Sequence, residues 1–225
     1  METSAGIQPE ARNGIVTRLR LIEAARSLMI EHGVLEVSIA EITQRAGVNI
    51  ALVSYHFGGR EGLMLSVARE DAKLALANLE RLKAADLTPA EKIRHHVIGI
   101  IQAYYKRPYL NRLLQKLIRE GSREASEEVS AFFVRPVALA RSSIIAEGIS
   151  AGQFRKVDAG LIGYALEGAC AQIFTSAASR AAVLGNGNLD QPLVDRYARS
   201  TADLIVNGLL VNPPARDEYR EDPQA

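Results

Sequence analysis

Residues 38–60, Ser38-Ile-Ala-Glu-Ile-Thr-Gln-Arg-Ala-Gly-Val-Asn-Ile-Ala-Leu-Val-Ser-Tyr-His-Phe-Gly-Gly-Arg60, decide how this chain is read. Ser38 followed by Glu41 is the S-x-x-E pattern of a capping box, and Ile39, Ile42 and Ala46 recur behind it at helical spacing. Gly47 supplies a turn, Asn49 stands where it can cap a second short helix over about Ile50–His56, and Gly58-Gly59 ends that helix. Two short helices joined by Ala46-Gly47-Val48-Asn49 form a helix-turn-helix. The second helix of such a unit fits the major groove of DNA, while polar and aromatic groups around it hold phosphates.

Outward from this stretch the spacing is helical almost everywhere. A supporting helix is expected from a Thr17 cap to His32, with Leu21, Ile22, Ala25, Leu28 and Met29 on one stripe and Gly33 closing it. A long helix is expected over Arg60–Ala84. Thr88-Pro89 starts another, which Pro108 ends, and residues 109–120 carry Leu110, Leu113, Leu114, Leu117 and Ile118 on one face. Ser126–Ser150 reads as a helix with Pro136 inside it, so a kink or local break is expected near Phe133. Asp158 caps a small-residue-rich helix to Leu184, and Asp190 caps a last one ending near Leu210. The fold class is therefore all-α. The expected organisation is a disordered tail (1–13), a helix-turn-helix domain (14–60), a helical regulatory and dimerisation domain (61–211) and a second disordered tail (212–225).

Bulk composition narrows the function. The chain has 225 residues, 48% hydrophobic and 24% charged, with 27 Lys and Arg against 26 Asp and Glu. A net charge of +1 is no polycation, so DNA binding has to rest on a local patch. Even residues 12–62 hold only Arg12, Arg18, Arg20, Arg26, Arg45 and Arg60 against Glu23, Glu31, Glu36, Glu41 and Glu61. The single Cys170 excludes an internal disulfide and fits a reducing compartment. With no apolar N-terminal segment and Leu161–Leu184 interrupted by Glu167 and Arg180, the expectation is a cytoplasmic protein that does not span a membrane.

Each candidate contact has a plainer reading beside it. Ser38 is a helix cap as well as a hydroxyl at a helix N-terminus that can meet phosphate. Tyr55 and His56 are either core aromatics or phosphate partners, and adjacent polar rings on one helix cannot both point inward. Arg60 sits at a helix start, where the macrodipole disfavours a cation, which hints at an anionic partner. Arg45 suits its own helix C-terminus, and Arg18 and Arg20 are possible backbone contacts. His95 and His96 diverge by about 100° on a helix and do not converge on one metal ion. Cys170 reads as a buried structural thiol. No G-x-S-x-G, P-loop or H-E-x-x-H pattern is present, so neither catalysis nor a cofactor is expected.

The order of elements, together with Ala46-Gly47-Val48, Tyr55-His56-Phe57, Arg60-Glu61 and Leu63, resembles the TetR family of bacterial transcription regulators. The motifs lie within about Thr17–Leu65; the remainder agrees in length and helix count. The resemblance implies DNA contacts at Ser38, Thr43, Asn49, Ile50, Ala51, Leu52, Ser54, Tyr55, His56 and Arg60. Ser54 departs from the Tyr of many relatives, and Thr43 stands where a small Ala is common. Ile50, Ala51 and Leu52 can sense thymine methyls, and Asn49 can pair with adenine. The resemblance further implies a small-molecule effector in the body. Tyr104, Tyr105, Phe132, Phe133 and Tyr164, with Arg112, Lys116 and Arg119, are candidates to line that site, or else are core aromatics with a solvated basic face. It also implies a homodimer built on the last two helices, with Gly160, Gly163, Gly168, Val194, Tyr197, Thr201, Leu204 and Ile205 at the interface. The expected function is a repressor that binds a palindromic double-stranded operator as a dimer and is released by its effector. Two other readings fit the same residues: a helical carrier or enzyme with a vestigial head, and a ligand-free architectural DNA-binding protein.

Overall fold

The computed structural model describes residues 9–33 and 35–213, with side chains from Asn13 onward. Eleven α-helices are present among the described residues: α1 (Pro9–His32), α2 (Ile39–Ala46), α3 (Ala51–Phe57), α4 (Arg60–Ala84), α5 (Pro89–Lys106), α6 (Pro108–Glu120), α7 (Arg123–Val129), α8 (Arg135–Ser150), α9 (Ala159–Ala171), α10 (Ala177–Leu184) and α11 (Gln191–Leu209). The only extended pairing among them is a bridge between Phe154 and Leu210. There, Arg155 N–H donates to the Leu209 carbonyl at 2.9 Å and Val211 N–H to the Gln153 carbonyl at 3.0 Å.

Two element expectations need correction and a third is met. The first helix begins at Pro9, so Thr17 lies in its interior and residues 9–13, expected in a tail, are helical. The tails expected at 1–8 and 214–225 lie outside the described residues. The kink or local break expected near Phe133 is present as a π-helical turn over Ser130–Val134, in which Arg135 N–H reaches the Ser130 carbonyl. A π turn leaves one carbonyl without its usual i+4 donor, which accommodates a proline one residue later without ending the helix. The helix expected from Asp158 to Leu184 is broken by a 3₁₀ turn at Gln172–Phe174, after which the Ser176 hydroxyl caps α10. Helical stretch Arg123–Ser150 reaches a mean hydropathy of 1.4 over a window of membrane-spanning length, and a third of that window is buried in the fold. A packed core helix meets the same criterion.

Packing divides the chain into two compact units, one of Met1–Asn78 with Ala103–Val137 and one of Leu79–Gln102 with Ala138–Ala225. This division does not follow the 60/61 boundary expected from sequence. The head is too small to enclose a core of its own. Leu21, Ala25, Leu28 and Met29 of α1 and Ile42 and Val53 of α2 and α3 therefore bury against Leu63, Met64 and Val67 of α4 and against Tyr109, Leu113 and Leu117 of α6. The second unit has its own buried set, including Ile93, Val97 and Ile101 on α5, Ile144 and Ile145 on α8, Leu166 on α9, and Val194, Ala198 and Val206 on α11.

Candidate nucleic-acid interface

Backbone caps fix the angle between α2 and α3. Ser38 Oγ accepts from Glu41 N–H at 3.1 Å while Glu41 Oε2 accepts from Ser38 N–H at 2.8 Å, completing the capping box. These bonds hold the Glu41 carboxyl below its ordinary range, the side-chain bond from Ser38 contributing most. At the other end of α2, Gly47 takes a left-handed conformation, φ 64°, and its N–H and that of Val48 return to the Gln44 and Thr43 carbonyls. Asn49 Oδ1 then accepts from Ala51 N–H at 2.8 Å and starts α3. The expectations for Ser38, Gly47 and Asn49 as local structure are thus met.

Helix α3 buries Val53 and turns Ala51, Ser54 and Tyr55 outward, with Ile50 exposed just before it and Tyr55 81% exposed. Leu52, His56 and Phe57 are half-buried. Thr43 is the exception among the candidate contacts: it is buried, and its hydroxyl donates back to the Ile39 carbonyl at 2.9 Å. The short hydroxyl side chain turns inward because its own helix offers a carbonyl one turn back.

Most arginines of the head are engaged by the fold. Arg18 donates to the His56 carbonyl at 2.9 Å and to Ser66 Oγ at 2.8 Å, and its guanidinium lies 4.5 Å from the Phe57 ring centre. It locks α3 against α1 and α4. Arg60 donates to the Val37 and Leu35 carbonyls, so the cation at this helix start answers two backbone acceptors of its own chain. Arg45 forms a two-pronged pair with Glu31, both bonds at 2.8 Å. Arg26 pairs with buried Asp71. Arg20 makes no ion pair among the described residues and lies beside the α2–α3 turn, since a Cβ on Gly47 would come within 3.0 Å of its Nη2.

Sequence reasoning missed three supports of this interface. Gly62 lies under the α3–α4 corner, where a Cβ would come 1.8 Å from the Phe57 carbonyl oxygen. Glu61 accepts from Ser122 N–H at 2.9 Å and from Ser122 Oγ at 2.6 Å, tying the start of α4 to the α6–α7 corner. Asp71 collects Arg26, Arg107 and the Tyr109 hydroxyl, and burial pushes the Tyr109 phenol above its ordinary range. The partners of Glu61 and Asp71 lie at sequence separations that no local pattern encodes, whereas Gly62 answers to Phe57 only five residues before it.

The candidate effector residues are distributed over both units. Tyr104, Tyr105, Arg119, Phe132 and Phe133 belong to the first unit, Arg119 exposed and Phe132 stacked 4.9 Å from the Arg69 guanidinium. Arg112 donates to the Gly33 carbonyl at 3.0 Å and Lys116 pairs with Glu36 at 3.2 Å, so both brace α6 against the end of α1. Tyr164, in the second unit, is 82% exposed. A cavity of about 280 Å³ in the first unit is lined by Leu35, Met64, Leu113 and Leu117 with Arg60 and Lys116. Among the described residues no group of three His, Cys, Asp or Glu could hold a metal.

The candidate dimer residues divide by helix face. Gly163, Val194 and Thr201 are buried within their own chain, and Tyr197 is half-buried with its hydroxyl on the Ala169 carbonyl. Ile205 is half-buried, while Gly160, Gly168 and Leu204 face outward with Leu161 and Tyr164.

Comparison with known proteins matches this arrangement. Residues 86–214 match the tetracyclin repressor-like, C-terminal domain, and residues 21–67 match the bacterial regulatory proteins of the tetR family. The chain is 32% identical over 114 residues to the HTH-type transcriptional regulator BetI 1 of Chromohalobacter salexigens, covering 49% of this chain and 50% of that relative. It is 24% identical over 150 residues to BetI of Burkholderia cenocepacia, covering 60% of this chain and 77% of the relative. The fold is similar to that of the transcriptional regulator FadR from Bacillus subtilis in complex with stearoyl-CoA, with a TM-score of 0.67 at 20% identity, over 84% of this chain and 98% of the other. One family pattern covers more than half of the sequence and the other lies over the helix-turn-helix, so this chain belongs to the TetR family of bacterial transcriptional regulators.

Proposed function

We propose that the chain is one protomer of a homodimeric repressor that binds a palindromic DNA operator in the cytoplasm and is released by a small-molecule effector. The observation that carries this reading is the outer face of α3, where Ile50, Ala51, Ser54 and Tyr55 stand exposed on a helix whose two ends are fixed by caps. We assign the base-edge contacts to Asn49, Ile50, Ala51 and Leu52, and backbone contacts to Ser38, Ser54, Tyr55 and His56. Arg60 contributes through whichever of its donors remain after Val37 and Leu35, and Thr43 supports the helix from inside.

Because Arg18, Arg26, Arg45 and Arg60 are bonded within the chain, one head has few free cations with which to displace counterions from phosphate, and its affinity alone is weak. Two linked heads gain effective concentration on a palindrome. The exposed apolar Leu161 and Tyr164 of α9 and Leu204 of α11, flanked by outward Gly168 and Gly208, supply the face for that pairing. An effector regulates only if it favours one arrangement of the two heads over the other.

Fluorescence anisotropy with duplexes from DNA flanking the protein's own gene, at several salt concentrations, tests the reading. The expected result is tight binding to a palindromic duplex with a shallow salt dependence. Equal, weak binding to a scrambled duplex overturns it.

A further inference from the structure

The second unit buries two polar side-chain atoms that find no partner among the described residues. His96 on α5 is 8% exposed and Arg141 on α8 is 6% exposed. Among the described residues neither His96 Nε2 nor Arg141 Nε has a hydrogen-bond partner. Buried polar atoms in folded proteins are nearly always paired, and an unpaired guanidinium N–H away from water is costly. The neighbouring positions sharpen the contrast: Ile93 and Val97 lie within a turn of His96, Ile144 and Ile145 within a turn of Arg141, and all four are fully buried. Apolar side chains at both positions would suit a purely structural core better.

The fold nevertheless holds the guanidinium in place. Arg141 Nη1 donates to Glu167 Oε1 on α9 at 3.2 Å. A Cβ on Gly163 would fall 2.2 Å from Arg141 Nη2 and 2.9 Å from Nε, so glycine is what lets the guanidinium lie against the α9 backbone. Burial first, and then the Arg141 charge, push His96 down to about 4, leaving a neutral imidazole at ordinary pH. A neutral imidazole can carry its proton on Nε2 and donate from there. The Arg141 charge is near enough to act on the imidazole, and an arginine N–H together with such a donor suits the two oxygens of a carboxylate. Glu167 already shares the arginine charge, which disfavours a dianionic phosphate. The surrounding aliphatic residues favour an apolar body behind the acid group.

We propose that His96 and Arg141 anchor the head group of the effector, and that the effector is a small carboxylate with an apolar body. The proposal rests on the reading of the chain as an effector-responsive regulator. Gly163 and Glu167 act as positioning residues for Arg141.

Acetate, hexanoate, octanoate and benzoate, each beside its amide, are titrated into the full chain. The readouts are the thermal midpoint, the Arg141 Nε–H cross-peak in a proton–nitrogen correlation spectrum, and anisotropy of the palindromic duplex. At least one longer carboxylate is expected to raise the midpoint, move the cross-peak and weaken duplex binding, with its amide doing none of these. The doubly apolar variant His96→Leu with Arg141→Met is expected to fold with an undiminished midpoint and to lose the response. Arg141→Lys keeps the charge but loses the Nε–H, and is expected to bind the carboxylate about tenfold more weakly or worse. A panel that leaves both cross-peak and midpoint unmoved overturns the proposal, as does an amide equal to its acid or a variant that binds like the parent. A protein that binds the duplex but ignores every carboxylate loses the anchor and keeps the regulator reading. One that answers a carboxylate but binds no duplex keeps the site and loses the regulator reading.

Discussion

One carboxylate oxygen of Asp71 accepts two hydrogen bonds from the Arg26 guanidinium, at 2.9 Å from Nη2 and 3.2 Å from Nε. Asp71 is buried on α4 and Arg26 lies on α1, so the pair fixes the first helix of the head to the helix that follows it. Removing one partner of a buried pair leaves the other charge unmatched. Asp71→Ala is therefore expected to cost about 3 kcal/mol in urea unfolding, and Tyr109→Phe, which removes one neutral donor from the same carboxylate, about 1 kcal/mol.

Two glycines in helices predict opposite signs. At Gly99, on exposed α5 surface, an added Cβ meets nothing within 4 Å, whereas at Gly62 it comes 1.8 Å from the Phe57 carbonyl oxygen. Gly99→Ala is expected to stabilise by up to about 1 kcal/mol through helix propensity. Gly62→Ala is expected to destabilise despite the same propensity gain, and to weaken duplex binding because the α3–α4 corner must open. Thermal melts of the two variants side by side check the contrast.

Tyr55 separates binding from folding. With 81% of the Tyr55 surface exposed, Tyr55→Ala is expected to leave the unfolding free energy within about 0.5 kcal/mol of the parent, as surface changes do. Duplex affinity is expected to fall about tenfold, the loss of a contact worth about 1.4 kcal/mol. Tyr55→Phe with unchanged affinity would argue against a phosphate bond from the hydroxyl.

His96 gives the stability a pH slope of defined sign. Its ordinary value of 6.5 is lowered to about 4 by burial and then by the Arg141 charge. Between those values the unfolded chain binds a proton that the folded chain does not, so stability falls as pH drops from about 6.5 to about 4 and this contribution levels off below that. The loss is about 3 kcal/mol, one pKa unit being about 1.4 kcal/mol. His96→Leu is expected to remove this slope from urea midpoints measured across that range.

Cys170 is buried, and desolvation, then the neighbouring Glu167 charge, push its thiol up to about 12. Iodoacetamide at pH 8 is expected to leave it unmodified in the native protein and to alkylate it in denaturant, because only the thiolate reacts. Rapid native labelling would contradict the burial.

The sequence by itself determined the local geometry of the reading head. The Ser38–Glu41 box, the Gly47 turn, the Asn49 start of α3 and the Gly58 stop are each encoded within a few residues, where backbone sterics and nearby side chains dominate. It also determined the all-α class, through the 3.6-residue spacing of apolar side chains. Only the tertiary structure decided which polar groups were spent inside the chain. Arg60 read as a cation awaiting an anion, yet Leu35 and Val37, more than twenty residues away, present carbonyls to it. Thr43 and Ser54 are alike in sequence terms, but one hydroxyl bonds back into α2 while the other side chain faces outward. The same holds in the second unit, where the small-residue pattern of α9 did not say that Gly163 faces Arg141 while Gly168 faces outward. Apolar periodicity marks a helix as having a buried face, but a helix packed on two sides hides which partner each face meets. That assignment depends on contacts between residues far apart in sequence, and those exist only once the chain has folded.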